Sequence, residues 1–248
     1  MDIDNFLDLM HTRRSIRRFK PDAVPEETLQ KILEAGRWAM SGANGQPWEF
    51  VVVRDSETRQ KIGEAWFEPH KEMYAIEQSR LPEIQLPPLR EFAATPAWKD
   101  APALIVIVGD RRTYQATVLG ASYLVTEGAS DAIFLKNMAN ATNLLNLAAA
   151  AAGLGAMWIS ISRLWAEEIK RILDIPAVLE VHTIVAIGQP AYAGKTATRR
   201  PLAEIVHYDG YDASRLRSAA DIQKFLLELR QNTEAPYRQG YMPEKEQV

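Results

Sequence analysis

Three features of this chain predict a layered fold of helices on a sheet, an α+β or α/β sandwich. Four to five short apolar runs read as strands, and helical segments lie between and after them. The 248 residues, 47% of them apolar, are enough to bury a sizeable core. A charged fraction of 25%, with no internal repeat and no low-complexity linker, is that of an ordinary globular chain.

Asp4 caps a short helix through about His11, with Phe6, Leu7 and Met10 on one face. The basic segment after it reads as extended chain. Pro25-Glu26-Glu27 opens a second helix, because proline suits the first turn and acids suit the positive end of the dipole. Leu29, Ile32, Leu33 and Gly36 supply its buried stripe. Trp48–Val53 is a strand, and Asp55 or Ser56 caps a helix through about Trp66. From Phe67 to Asp100 the periodicity breaks down. Prolines at 69, 82, 87, 88, 96 and 102 frame charged residues interleaved with Tyr74, Phe92 and Trp98. Long irregular segments in compact domains are usually lids or disordered, so this is the candidate substrate-facing insertion.

Leu104–Val108 is a buried strand. Glu127–Ala152 is a long alanine-rich helix carrying Asn137, Asn140 and Asn143, and Gly153-Leu154-Gly155 ends it. Ala156–Ile161 is the next strand. The stretch Leu144–Ile161 has the length of a membrane span, but Asn146 and the two glycines divide it into a buried helix and a buried strand. Ala166–Leu173 is a short helix stopped before Pro176, with Glu167 and Glu168 as first-turn acids. Val181–Ile187 is the last core strand, closed by Gly188-Gln189-Pro190. The tail beyond Pro201 holds an amphipathic helix near Ala219–Leu229, then Pro236-Tyr237 and Tyr241-Met242-Pro243. Its aromatics imply packing along the protein or a partner subunit.

A net charge of −3 and a pI near 5.9 give no global case for nucleic acid or anionic membrane. The absence of cysteine excludes disulfides, thiolate metal sites, iron–sulfur clusters and a cysteine nucleophile. It is compatible with a reducing cytoplasm, the expected location. Met1-Asp2-Ile3-Asp4-Asn5 lacks the basic-then-apolar order of a signal peptide. His11, His70, His182 and His207 show no metal-ligand spacing. His182 reads as a core or interface residue, and Trp38, Trp48 and Trp66 as core or interface packing.

Two segments carry chemistry. Arg13-Arg14-Ser15-Ile16-Arg17-Arg18-Phe19 gathers four guanidinium groups and a hydroxyl within seven residues. Guanidinium forks bind phosphate bidentately. A solvated charged patch and a nucleic-acid signal are the competing readings, and the acidic remainder of the chain opposes the latter. Ser41-Gly42-Ala43-Asn44-Gly45-Gln46-Pro47-Trp48 then offers hydroxyl and amide groups, with glycines that let backbone approach a planar ligand. Together they suggest a phosphorylated cofactor, one segment pinning the phosphate and the other reading a polar ring. Rossmann and Walker glycine patterns are absent.

These two segments, with Ala152-Gly153-Leu154-Gly155, Ile187-Gly188-Gln189-Pro190 and Arg199-Arg200-Pro201-Leu202-Ala203-Glu204-Ile205, resemble the FMN-dependent nitroreductase superfamily in that order, over roughly residues 6–207. The resemblance implies an α+β fold with a mostly antiparallel central sheet. It also implies an intertwined homodimer with FMN at the interface, and ping-pong hydride transfer from NADH or NADPH to a small aromatic acceptor, a nitroaromatic or a quinone. By position, Arg13, Arg14 and Ser15 match ligands of the FMN phosphate and ribityl chain, and Arg17 the cation beside the flavin N1 and O2 atoms. Ser41, Gly42, Asn44 and Gln46 match the loop that reaches the flavin, in many members from the other subunit. Trp158, Ile159 and Ser160 match the stretch near N5. Arg199 matches a late phosphate-binding arginine, with Arg200 the nearby alternative. The flavin performs the chemistry, so no catalytic side chain is expected. The implied layout is an FMN-binding domain over 1–207 with a variable lid at 67–100, and a C-terminal extension over 208–248. A reductive dehalogenase of halogenated phenols is the alternative within the superfamily, and a non-catalytic flavin-binding protein the alternative outside enzymes.

Overall fold

The computed structural model describes residues 2–85, 96–114, 129–194 and 198–241. At its centre four antiparallel strands, β1 (Trp48–Val53), β2 (Ala103–Gly109), β3 (Gly155–Ser160) and β4 (Glu180–Gly188), lie in the order β1-β2-β4-β3. The unbroken apolar run of β2 is buried at every position, as a central strand with both faces covered requires. Its side chains alternate between two cores: Leu104, Val106 and Val108 enter one, and Ile105 and Ile107 the other. The helices are α1 (Ile3–Thr12), α2 (Glu26–Arg37), α3 (Ser56–Gln78), α4 (Ala129–Ala151), α5 (Arg163–Ile172), α6 (Leu202–Ile205) and α7 (Ala219–Tyr241). Leu29 and Ile32 of α2 and Phe134, Met138 and Leu145 of α4 cover one face. Ile62 and Trp66 of α3 and Trp165 and Ile169 of α5 cover the other. The expected α+β architecture is observed.

Several boundaries differ for identifiable reasons. Asp2, not Asp4, caps α1: its carboxylate accepts from the Asn5 amide at 2.8 Å, leaving Asp4 in the first turn. Ser162 caps α5, so the helix starts at Arg163 and Glu167 and Glu168 fall in its second turn. There they pair with Lys170 and Arg171 instead of serving the first turn. The first part of the expected irregular insertion is helical, because α3 continues past Trp66 and Pro69 to Gln78. Trp66, His70 and Glu77 form a buried stripe along it. That packing offsets the roughly 3 kcal/mol a helix-interior proline costs. Trp98 is fully buried and does not face a substrate. Residues 86–95, including Phe92, the helix start at Glu127, and Met242-Pro243 lie outside the described residues. The last helix runs beyond Leu229 to Tyr241.

His70 stacks on Trp66 with ring centroids 3.4 Å apart, and its Nδ1 meets the Trp66 carbonyl at 2.6 Å. With Trp165 and Trp98 both edge-on to Trp66, it belongs to an aromatic core. His182 sits where β4 has an extra residue opposite β2, a bulge between the Ile107–Thr183 and Val108–Val181 pairs. Trp48 and Trp66 are buried, whereas Trp38 is 71% exposed and leaves the core reading untenable for that residue. Among the described residues no helix is long and apolar enough to cross a membrane.

Candidate functional site

After α1, the chain runs extended around the end of the sheet where β3 begins and β4 stops. The Ile16 amide donates to the Ala156 carbonyl at 3.0 Å, and the Lys20 amide to the Gln189 carbonyl at 2.8 Å. Ile16 is buried, while Arg13, Arg14 and Arg17 are half-buried and Ser15 is exposed. One apolar anchor therefore leaves the arginines on a rim. The Arg17 amide donates to the Tyr192 hydroxyl at 3.1 Å, and Arg18 lies 5.4 Å over the Tyr192 ring.

Arg13, Arg14 and Arg199 converge at this corner. Burial lowers the proton affinity of Arg13, and the neighbouring charges of Arg199 and then Arg14 lower it further. Among the described residues neither Arg13 nor Arg199 meets a carboxylate. Arg200, by contrast, is tied to the Glu204 carboxylate at 3.4 Å and to the Glu204 carbonyl at 3.1 Å. Arg199 is thus the late cation that faces Arg13. A cavity of about 450 Å³, lined by Arg13, Arg14, Gly153, Gly155, Tyr192 and Gly194, opens here. A Cβ on Gly155 would lie 2.8 Å from Ile16, and one on Gly194 2.7 Å from Arg14, so this packing requires bare backbone. Arg13 and Arg199, close together beside glycine backbone and with no carboxylate on either among the described residues, suit a phosphate dianion.

The loop at 41–46 is rigidly built. Ala43, Asn44 and Gln46 all adopt positive φ (50°, 54° and 45°), a region non-glycine residues seldom occupy. The Tyr114 hydroxyl donates to the Gly42 carbonyl at 2.9 Å, Asn137 Nδ2 donates to the Tyr114 hydroxyl at 2.8 Å, and the Gly42 amide donates to Asn137 Oδ1 at 3.2 Å. Asn140 Nδ2 donates to the Met40 carbonyl at 2.8 Å, and the Gln46 amide to Ser41 Oγ at 3.0 Å. Gly42, Asn44 and Gln46 remain exposed beyond this scaffold.

One chain does not bring these two halves together. The loop precedes β1 at one end of the sheet, whereas Ser15 bridges Ala156 of β3 on the opposite edge and at the opposite end. Those edges are roughly 14 Å apart at the usual strand spacing. Asn137 under the loop and Ala150 at the basic corner stand about 20 Å apart along α4 at its usual rise.

With this geometry in place, comparison with known proteins is decisive. Residues 10–189, well over half of the chain, match the Nitroreductase family. The chain belongs to that family. It is 31% identical over 204 residues to a protein named NADH dehydrogenase from Thermus thermophilus, covering 78% of this chain and 91% of that one. To an iodotyrosine deiodinase from Thermotoga neapolitana it is 27% identical over 183 residues, covering 74% of this chain and 87% of that one. Its fold matches that of an oxidized iodotyrosine deiodinase bound to FMN and 3-iodo-L-tyrosine, with a TM-score of 0.65 and 24% identity over 83% of this chain and 99% of that one.

In this nitroreductase-family chain β3 presents its residues alternately. Trp158 is 41% exposed and Ser160 is exposed, but Ile159 points into the core at 1% exposure and leaves only its backbone for a ligand. Tyr114 and Asn137, which hold the loop, were not singled out by sequence as site residues. The regular spacing of asparagines along an alanine-rich helix was the available signal, since buried amides require partners.

Proposed function

We propose that this chain is an FMN-dependent oxidoreductase that works as a homodimer and uses NADH or NADPH to reduce a small aromatic acceptor, a nitroaromatic or a quinone. The observation that carries this reading is the convergence of Arg13, Arg14 and Arg199 beside backbone that tolerates no Cβ, with no carboxylate on Arg13 or Arg199 among the described residues. Arg13, Arg14 and Ser15 hold the phosphate and ribityl end, and Arg199 holds the phosphate. Arg17 keeps a fixed positive charge toward the ring, where it stabilises negative charge. Ser41, Gly42, Asn44 and Gln46 read the ring from the second copy, which accounts for their distance from the arginines within one chain. Trp158, Ser160 and the Ile159 backbone line the approach to the ring. FMN, when bound, supplies the hydride-carrying chemistry, and the residues supply binding, orientation and charge.

The FMN-binding unit in this reading spans 1–207, with the insertion at 67–100 as a lid over the acceptor and 208–248 as an extension packed on the protein or its partner. The cysteine-free chain works in the reducing cytoplasm. A second reading, reductive dehalogenation of a halogenated phenol, draws on the likeness to iodotyrosine deiodinases.

Titration of the purified protein with FMN, followed by anaerobic addition of NADH or NADPH, tests the proposal. Flavin binding and bleaching are expected, with the bleached protein reoxidised by nitroaromatics or quinones. Reoxidation by halophenols alone selects the second reading. A protein that binds no FMN refutes both.

A further inference from the structure

The loop at 41–46 holds three non-glycine residues at positive φ, a conformation that does not persist without external support. Its support comes from a closed ring of hydrogen bonds that uses both main-chain groups of Gly42. The Gly42 carbonyl accepts from Tyr114, the Gly42 amide donates to Asn137, and Asn137 closes the ring by donating to Tyr114. Asn137 is buried at 6% exposure, so each hydrogen bond it loses leaves a dry amide atom. Tyr114 also fills the space over Gly45, where a Cβ would lie 2.6 Å from its hydroxyl. Burial raises the pKa of the phenol, which keeps its donor proton.

We propose that Tyr114 and Asn137 are positioning residues: they preset the Ser41–Gln46 loop in the shape that receives the flavin ring. The proposal rests on the reading of that loop as the ring-contacting half of the site. Neither residue touches the ligand. Their contribution is preorganisation, since a loop already in shape loses no conformational freedom on binding.

The test compares FMN with riboflavin, which lacks the phosphate, by quenching of flavin fluorescence in the full-length protein. Tyr114→Phe keeps the ring against Gly45 and removes only the hydroxyl, so it disturbs the fold least. Asn137→Leu removes both amide contacts. Each variant is expected to weaken FMN and riboflavin by the same factor, about tenfold, as loss of a buried hydrogen bond predicts. The double variant should be no weaker than either single one, because one ring of hydrogen bonds is broken in all three. Arg199→Ala, acting on the phosphate, should weaken FMN and leave riboflavin unchanged. Variants within twofold of wild type for both ligands overturn the positioning role while the flavin reading stands. So does a loss confined to FMN. A wild-type protein that binds neither ligand overturns the flavin reading and this proposal with it.

Discussion

Arg230, near the middle of the last helix, forms an ion pair with Glu77, a carboxylate on α3 whose side chain is 4% exposed. Arg230 Nε also donates to the Ile84 carbonyl at 3.1 Å, and Arg80 pairs with the other Glu77 oxygen at 3.0 Å. One side chain thus fastens the C-terminal helix to the start of the insertion.

The two arginines should therefore differ in importance. Removing Arg230 takes away the more buried of the two cations on Glu77 and its bond to the Ile84 carbonyl, and leaves the buried carboxylate with a weaker set of partners. Arg230→Ala is expected to cost about 2–3 kcal/mol by urea denaturation and to expose the last helix to limited proteolysis. Arg80, whose side chain is 42% exposed, should cost less than about 1 kcal/mol when replaced by Ala. Equal losses for the two variants would contradict the asymmetry.

The convergent arginines predict opposite effects on binding and stability. Arg13→Ala with Arg199→Ala should release FMN while leaving the dimer intact by size-exclusion chromatography. Because Arg199 and Arg13 repel each other, Arg199→Ala alone should leave the apo protein as stable as wild type or slightly more so, by up to about 0.5 kcal/mol. Retention of FMN by the double variant would show the phosphate site to be misplaced.

A site completed by a second copy can be rebuilt from two defective ones. Arg13→Ala/Arg199→Ala breaks the phosphate half, and Gly45→Val breaks the loop by colliding with Tyr114. Each should be inactive alone. Co-refolded at equal amounts, statistical mixing yields hybrids with one intact site of two, so about a quarter of wild-type activity is expected. No recovery on mixing would place both halves of the site in one chain.

Acid should loosen the Trp66–His70 region before it reaches the carboxylates. Burial lowers the His70 pKa below the ordinary 6.5, with the Trp66 carbonyl opposing weakly, and burial lowers His182 in the same direction. The unfolded chain therefore binds more protons below about pH 6.5. The stability from neutral imidazole is fully present above that value and is lost as pH falls toward the folded pKa values. Urea midpoints should decline between pH 7 and 5, and His70→Phe, which preserves the ring stack, should flatten part of that slope. An unchanged slope would assign the pH dependence to other groups.

Much of the fold is legible in the sequence because Leu104–Val108 is an unbroken apolar run with nowhere to go but a buried sheet, and Trp48–Val53 is apolar but for the exposed Glu49. The ends of helices were less legible. Pro69 speaks locally for a break, and only packing of Trp66, His70 and Glu77 keeps α3 going. Ser162 was hidden as a cap because the apolar run before it reads straight into it. The arginine run and the Ser41–Trp48 loop announce themselves by composition, whereas Tyr114 and Asn137 matter through partners distant in sequence.

The sequence by itself determined a layered fold of helices on a sheet, through its periodicity, and supplied residue types suited to an anion, since periodicity and side-chain chemistry are local properties; the family was legible in the order of its motifs. Tertiary structure alone decided that Arg199 rather than Arg200 joins Arg13, that Ile159 turns into the core, and that the loop stands about 20 Å along α4 from the basic corner. Those outcomes depend on strand order, on the pleat of β3 and on which carboxylate each cation meets. Strand order and pleat are fixed by contacts between segments far apart in the chain, as is the approach of Arg199 to Arg13, while Arg200 is held locally by Glu204.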